Sequence, residues 1–135
     1  MALDVANAVG ARWESEYIPD ADSLYMRVHF TNLYEDGTMK PGAFRDIGDG
    51  MSTDWEKYST AEDTRLRGKA PRANAVISMR VGEVREIPAQ EVIHTPTQNN
   101  RAHTEVFGNK RGGDPEARLL LTRISSVIIS YMPEA

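Results

Sequence analysis

Hydrophobic and polar residues alternate with a period of two along residues 23–30, which follow a turn at 20–23. One face of this segment carries Leu24, Met26, Val28 and Phe30. The opposite face carries Tyr25, Arg27 and His29. This alternation predicts a half-buried β-strand whose polar face presents Arg27 and His29 away from the core.

The second half of the chain also has the pattern of strands, at residues 74–81, 83–87, 91–95 and 102–107. Residues 96–101 are polar and rich in Asn, which predicts a loop between the last two strands. The β-branched residues at 127–129 are compatible with a helix or with a terminal strand, because periodicity does not distinguish the two in so short a run.

Two segments have the signals of helix starts. Ser59 or Thr60 followed by acidic residues at 62 and 63 predicts a short helix near 60–67 that Gly68 ends. Asp114-Pro115-Glu116, after a hinge at Gly112-Gly113, predicts a C-terminal helix.

These elements predict an α+β fold, in which a curved, mainly antiparallel sheet carries a short helix near 60–67 and a C-terminal helix. The 135 residues are enough for a single domain with one hydrophobic core. We expect residues 1–12 to form an arm that is flexible or weakly helical.

The composition excludes several classes of chemistry and location. The chain has no cysteine, which excludes disulfides, thiolate metal sites and cysteine nucleophiles. It also lacks an apolar run of the roughly 20 residues that cross a bilayer. The N-terminal residues do not have the basic start and apolar centre of a secretory signal, so we expect a cytoplasmic protein without a membrane partner.

Charge is unevenly distributed along the chain, whose net charge is −4. Residues 1–64 contain five basic and thirteen acidic residues, whereas residues 65–123 contain eleven basic and six acidic residues. This asymmetry favours contact between the halves or a homo-oligomer, and the basic half is also suited to a small phosphate-bearing ligand. The overall negative charge disfavours binding to duplex nucleic acid.

The three histidines are candidate metal ligands, because three imidazoles can hold a catalytic zinc ion. His94 and His103 flank the polar loop, and His29 lies on the first strand. No HxH or HxxxH spacing places two of them on one element, so independent histidines remain the alternative. The sequence identifies no cofactor.

Two polar segments are candidates for ligand binding. Residues 95–105 concentrate amides, hydroxyls, a guanidinium, an imidazole and a carboxylate, although such residues also stabilise turns. Residues 44–55 combine glycines with Ser52 and Thr53, but they lack the spacing of a P-loop. The predicted ligand-binding residues are Arg27, Ser52, Thr53, His94, Asn99, Arg101 and His103. The candidate catalytic residues are His29, His103 and Glu105.

Two resemblances follow from these motifs. The segments DGTMKPGAFRD (36–46), GMSTDW (50–55) and NRAH (100–103) resemble a group of uncharacterised small bacterial proteins, which implies no particular activity. The order of polar residues also resembles the ADP-ribosyltransferase fold, which carries Arg or His on an early strand, then Ser or Tyr, then Glu on a late strand. The matching residues are Arg27 or His29, Ser52 or Tyr58, and Glu105.

By that resemblance the early residue would hold the ribose or phosphate of NAD, and Glu105 would stabilise an oxocarbenium ion.

Three functions stay open. The first is a binding or regulatory module for a phosphate- or nucleotide-like ligand. The second is an enzyme, acting either on NAD-like substrates or as a histidine-metal hydrolase. The third is a purely structural protein that associates through its acidic and basic halves.

Overall fold

A six-stranded antiparallel sheet forms the centre of the protein, in the strand order β4-β5-β2-β1-β3-β6. The structure, a computed structural model, describes residues 13–45, 50–108, 110 and 115–132. The strands are Ser23–His29 (β1), Met51–Trp55 (β2), Asn74–Arg80 (β3), Glu91–His94 (β4), His103–Phe107 (β5) and Ser126–Ile129 (β6). The helices are Ala61–Leu66 (α1), Val81–Glu86 (α2) and Pro115–Ile124 (α3).

The core lies on one face of this sheet. The alternation in β1 buries Leu24, Met26 and Val28. These side chains form a single apolar cluster with the inward residues of the neighbouring strands and with Val84 of α2 and Leu121 of α3. The period-two pattern therefore assigns the faces of β1 correctly, and the predicted α+β fold with a mainly antiparallel sheet is confirmed.

The short helix α1 lies on the opposite face of the sheet. Its N-cap is Thr60, whose side chain accepts a hydrogen bond from the Asp63 amide, as predicted for this segment. Thr64 faces the sheet and is buried, whereas Leu66 is exposed. Because α1 covers only part of this face, polar residues of β1, β2 and β5 remain accessible beside it.

The strand predicted at 83–87 is wrong, because residues Val81–Glu86 form the helix α2. Val81 and Val84, three residues apart, are both fully buried, which is a helical spacing. The amides of Val81 and Gly82 donate to the carbonyls of Asp22 and Asp20, and these bonds hold the start of the helix against the preceding chain.

Phe30 was predicted on the buried face of β1 but is 45 % exposed, because β1 ends at His29. The His29 side chain accepts a hydrogen bond from the Thr31 amide and caps a 3₁₀ turn, Phe30–Asn32. The Phe30 ring stacks on Tyr131 at a centroid distance of 5.6 Å. The turn therefore rotates Phe30 out of the alternation that precedes it.

The C-terminal region contains both a helix and a strand. The predicted C-terminal helix is α3, and the open choice at 127–129 is resolved as the strand β6, which pairs with β3. The predictions for residues 1–12, Gly112-Gly113 and Asp114 lie outside the described residues. None of the helices in the described ranges has the length and apolar character that crossing a membrane requires.

Candidate functional site

Three polar side chains from three adjacent strands lie in one row on the face opposite the core. The β1–β2 pairing joins Leu24 to Trp55 and Tyr25 to Asp54 and extends no further; Arg27 and Ser52 lie two residues beyond Tyr25 and Asp54, and both line the two hollows described below. The β2–β5 register pairs Ser52 with Glu105. Since all three residues point to the same side of their strands, Arg27, Ser52 and Glu105 form what we call the polar row.

Arg27 is exposed, but its guanidinium is held in place. Its Nη1 donates to the Thr64 carbonyl oxygen in α1 at 2.7 Å. Gly68 lies so close that a Cβ there would stand 2.7 Å from the Arg27 Cδ. Among the described residues, no carboxylate forms an ion pair with Arg27. The guanidinium therefore has donors available for an anionic ligand.

Ser52 and Glu105 occupy the middle and the far end of the polar row. The Ser52 hydroxyl is exposed and lies 3.3 Å from Nε2 of His103. Glu105 is half-buried, and within the described parts of the chain its carboxylate has no hydrogen-bond or ion-pair partner. Gly50 allows this close packing, because a Cβ at that position would lie 3.1 Å from the Glu105 Cβ.

A buried carboxylate, Asp54, forms one wall of the site. Its Oδ2 accepts from the Thr64 hydroxyl at 2.8 Å and from Arg67 at 2.7 Å, and its Oδ1 accepts from the Asn100 amide at 2.8 Å. Asn100 in turn accepts a hydrogen bond from the Ala102 amide. Asp54 thus ties α1 and the loop before β5 to β2, beside the polar row.

Two neighbouring hollows meet at Arg27 and Ser52 of the polar row and also share Met26, whereas Glu105 lines neither of them. The smaller has a volume of about 50 Å³ and lies towards Tyr25, Asn100 and His103. Burial, and secondarily the nearby Glu56, raises the pKa of Tyr25, so its hydroxyl stays protonated as a hydrogen-bond donor or acceptor.

The larger hollow has a volume of about 260 Å³ and is lined by six polar and four apolar residues. Its polar lining residues are Arg27, His29, Asn32, Arg45, Ser52 and Asn74. Two guanidinium groups beside amides and a hydroxyl make a donor-rich surface, which is suited to phosphate oxygens.

Two of the predicted ligand-binding residues are buried and have structural roles. Thr53 is buried, and its hydroxyl donates to the Thr104 carbonyl at 3.0 Å. His94 is 1 % exposed; its Nδ1 accepts from the Glu16 amide at 2.9 Å, and its Nε2 lies 2.7 Å from the Arg101 carbonyl oxygen.

Arg101 and Tyr58 form a separate cluster with the N-terminal segment. The Arg101 guanidinium lies 4.1 Å from the centroid of the Tyr58 ring and 4.3 Å from that of Trp13. The Tyr58 hydroxyl donates to Glu16. Of the two candidates that the sequence offered for the middle position, Ser52 therefore belongs to the polar row, whereas Tyr58 packs elsewhere.

The three histidines have different surroundings. His29 is bonded to Thr31 at the end of β1, His94 is buried, and His103 contacts Thr95 and Ser52. Within residues 13–45, 50–108, 110 and 115–132, no group of three His, Cys, Asp or Glu side chains could hold a metal ion.

Sequence reasoning missed several residues of the site. Asn99 is exposed on its turn, whereas its neighbour Asn100 makes the buried contact with Asp54. Arg45 and Asn74 also line the larger hollow without having been predicted. A signal existed for Arg45, which lies in the glycine-containing segment 44–55, but Asn74 reaches the site only through the pairing of β3 with β1.

Comparisons of the chain with protein-family models, with the sequences of curated proteins and with solved structures found no match.

Proposed function

We propose that this domain binds an NAD-type dinucleotide on the polar row and transfers its ADP-ribosyl group. The observation that carries the proposal is the placement of Arg27, Ser52 and Glu105 on one face of three adjacent strands, where Ser52 pairs with Glu105 and shares the lining of two hollows with Arg27. The same three residues follow the order of the ADP-ribosyltransferase resemblance in the sequence. A chance resemblance in sequence order would not require the three residues to be neighbours in space.

The charges of the row suit this chemistry. Arg27 and Arg45 would bind the phosphates in the larger hollow, which they both line. Loss of nicotinamide leaves positive charge on the ribose as an oxocarbenium ion. The carboxylate of Glu105 would stabilise that charge, and it is available because no described side chain neutralises it.

The test is cleavage of NAD by the full chain, followed as nicotinamide release by liquid chromatography. We expect Glu105→Gln to lower the cleavage rate by about 10²- to 10³-fold, the usual effect of removing one electrostatic contact to a transition state. Binding of NAD, measured by calorimetry, should change by less than about threefold in this variant, since the carboxylate acts on charge that develops later.

A matched control is Glu91→Gln, which changes an exposed carboxylate on the neighbouring strand β4. This variant should cleave NAD at the wild-type rate. Arg27→Gln should weaken NAD binding by about tenfold or more, because a charge-assisted hydrogen bond contributes about 1.5–3 kcal/mol. Equal rates for the wild type and Glu105→Gln would contradict the proposed catalytic role.

A second candidate is a binding or regulatory module for a phosphate-bearing ligand, without chemistry. The two guanidinium groups and the amides of the larger hollow favour it. The same experiment separates the two functions. NAD or ADP-ribose binding that depends on Arg27, without nicotinamide release by the wild type, would support the module and reject the transferase.

Location and assembly form a separate part of the proposal and rest on sequence composition. We infer a cytoplasmic protein, because the cysteine-free chain needs no oxidising compartment. We also infer a homo-oligomer held by contacts between the acidic and basic halves. Such contacts weaken as salt screens them, so the mass measured by light scattering should fall between about 0.05 M and 1 M salt. An unchanged monomer mass at low salt would reject the oligomer.

A further inference from the structure

We infer that His103 accepts the proton of the attacking group, and that the group receiving the ADP-ribosyl unit is a hydroxyl. The inference rests on the proposed function and adds to it a base and the chemical class of the acceptor. It comes from the hydrogen bonds on the two sides of one imidazole ring.

On one side of the ring, the contacts of Nδ1 with Thr95 determine which nitrogen carries the proton. Nδ1 of His103 lies 2.9 Å from the Thr95 carbonyl oxygen and 3.0 Å from the Thr95 hydroxyl. A carbonyl oxygen only accepts hydrogen bonds, so Nδ1 carries the proton and donates it. In the neutral ring, the other nitrogen, Nε2, then has a free lone pair and acts as an acceptor.

The second side faces the polar row. Nε2 lies 3.3 Å from the Ser52 hydroxyl, which therefore donates to it. The contact demonstrates that a hydroxyl at the middle of the row can reach this lone pair. Its length leaves the bond weak, so a substrate hydroxyl can take the place of Ser52.

The base and the carboxylate flank one position on the sheet. His103 and Glu105 are two residues apart on β5 and point to the same face, with backbones about 7 Å apart. An anomeric carbon beside Glu105 would therefore have the Nε2 lone pair of His103 on its flank. A nucleophile placed between them can attack the carbon while it gives its proton to the imidazole.

The step balances without any further reactant. The bond between the anomeric carbon and the nicotinamide nitrogen breaks, and its electron pair leaves with neutral nicotinamide. The acceptor oxygen forms the new bond to that carbon, and its proton moves to Nε2. The resulting imidazolium releases the proton to solvent, so NAD and an alcohol give the O-linked ADP-ribosyl product, nicotinamide and one proton.

A neutral imidazole selects against the most basic acceptors. A guanidinium group is a far stronger base than imidazole, so it stays protonated and is not deprotonated by imidazole. Water and alcohols become more acidic as they begin to bond to the oxocarbenium carbon, so imidazole can take their proton. We therefore expect alcohol and water as acceptors, and not arginine-like groups.

The experiment uses the full chain with NAD and two probe acceptors, methanol and agmatine, with products separated by mass spectrometry. The wild type should form ADP-ribose and O-methyl ADP-ribose and no agmatine adduct. His103→Ala should lower both products by about 10²-fold, the usual contribution of a general base, with NAD affinity changed by less than about threefold. Added imidazole should restore part of the rate in this variant, which a purely structural role would not allow.

Two further variants keep the test decisive. His103→Gln preserves size and a hydrogen-bonding group, and serves if circular dichroism shows that the alanine variant does not fold. Gln98→Ala changes an exposed residue of the loop that precedes β5 and should match the wild type.

If the wild type releases no nicotinamide, the proposed function fails and this inference fails with it. If the wild type cleaves NAD but histidine variants do so equally, or agmatine is the preferred acceptor, this inference alone is overturned.

Discussion

The position of the Arg27 guanidinium depends on two contacts made by neighbouring residues of a different element. The Thr64 carbonyl at the end of α1 accepts its hydrogen bond, and Gly68 leaves room for its aliphatic chain. A carbonyl at a helix C-terminus is a natural partner for a cation. Since only one nitrogen is engaged by this bond, the guanidinium is oriented without being neutralised.

This arrangement predicts an effect of Gly68→Ala. The added methyl group would stand 2.7 Å from the Arg27 Cδ, so the arginine side chain must move while the backbone can stay. We expect NAD binding to weaken by about 3- to 30-fold, part of the contribution of a charge-assisted hydrogen bond. The free energy of unfolding should change by less than about 1 kcal/mol.

Gly42→Ala is the matched control, because nothing lies within 4 Å of a Cβ at that position and its φ angle is not positive. Calorimetry and urea unfolding of the two variants measure both quantities. Equal affinity in Gly68→Ala and wild type would show that the Arg27 position does not matter for the ligand.

Single residues also show what the sequence can predict and what it cannot. The alternation of hydrophobic and polar residues predicts correctly that Arg27 lies on the accessible face, because this alternation depends only on residues of one strand. It did not separate Asn99 from Asn100, two identical neighbours in a loop. The turn that brings Thr97 and Asn100 together decides which of them faces Asp54. For His94, the alternation of β4 contained a signal, since Val92 and His94 share the buried side, but exposed Ile93 obscures it.

At the level of elements, Asp54 joins three pieces of structure. It belongs to β2 and accepts hydrogen bonds from Thr64 and Arg67, at α1 and its C-cap, and from Asn100 in the loop before β5. Asp54 is 4 % exposed, and four hydrogen-bonding residues, Thr64, Arg67, Asn100 and Ser59, complete the network. Buried polar groups of this kind fix one arrangement of the elements when all of them are satisfied.

Asp54→Ala should therefore destabilise the whole domain. Removing the acceptor takes the carboxylate from Thr64, Arg67 and Asn100, although Arg67 keeps its bond to Ser59. Each hydrogen bond to a charged group contributes about 1.5–3 kcal/mol. Asp36→Ala is the control, because that carboxylate is exposed and bonds only to Thr38 in its own turn. We expect the control to change the free energy of unfolding, measured in urea, by less than about 1 kcal/mol. A similar effect of both variants would contradict the role of Asp54.

The Thr60 cap predicts a smaller effect, at the start of α1. Its hydroxyl accepts the Asp63 amide at 3.0 Å, and Thr60→Ala should cost about 1 kcal/mol of unfolding free energy. Thr60→Ser keeps the oxygen and should retain most of the stability. The comparison is made by urea unfolding, and equal losses in the two variants would show that the hydroxyl does not cap the helix.

Elements differed in how far the sequence specified them. The cap of α1 is local, so it was visible in residues 59–63. Helix α2 was mistaken for a strand because residues 83–87 are too few to show a helical period on their own. Its register is set instead by contacts with residues 18–22, where Arg85 donates to the Ile18 carbonyl and to Asp20.

At the level of the whole molecule, the polar row is formed by the pairing of strands that are distant in sequence. Arg27, Ser52 and Glu105 were each identifiable as candidates. Their common row requires the registers of β1 with β2 and of β2 with β5, and a slip of one residue would turn Ser52 towards the core. Register depends on how all the strands pack together, so only the structure could supply the site.

The first described segment, residues 13–18, is attached to the sheet through Glu16. Its amide donates to the buried His94, and its carboxylate accepts from Lys57 and Tyr58. These hydrogen bonds, that of Lys57 first, lower the pKa of Glu16 below its ordinary value, and the same contact raises the pKa of Lys57. Glu16 thus connects residues near the start of the described chain to the end of β2.

This connection predicts a dependence of stability on pH. Because the pKa of Glu16 is lower in the folded state than in the unfolded state, its contribution is fully present above the ordinary glutamate range of about 4–5. It is lost as the pH falls through the folded-state pKa, where Glu16 takes up a proton and its ion pair with Lys57 disappears. Glu16→Gln should therefore be less stable than wild type at pH 7, and the difference should shrink towards pH 3.

Urea unfolding at a series of pH values between about 7 and 3 measures this difference. Glu14→Gln is the control, because Glu14 is exposed two residues away and outside this cluster. It should follow the wild type at every pH, since removing its charge leaves the contacts of Lys57 and Tyr58 intact. A constant difference between Glu16→Gln and wild type across the series would mean that the carboxylate packs the segment without its charge contributing. In that case the hydrogen bond from the Glu16 amide to His94, which the substitution preserves, would be the main attachment of the N-terminal segment.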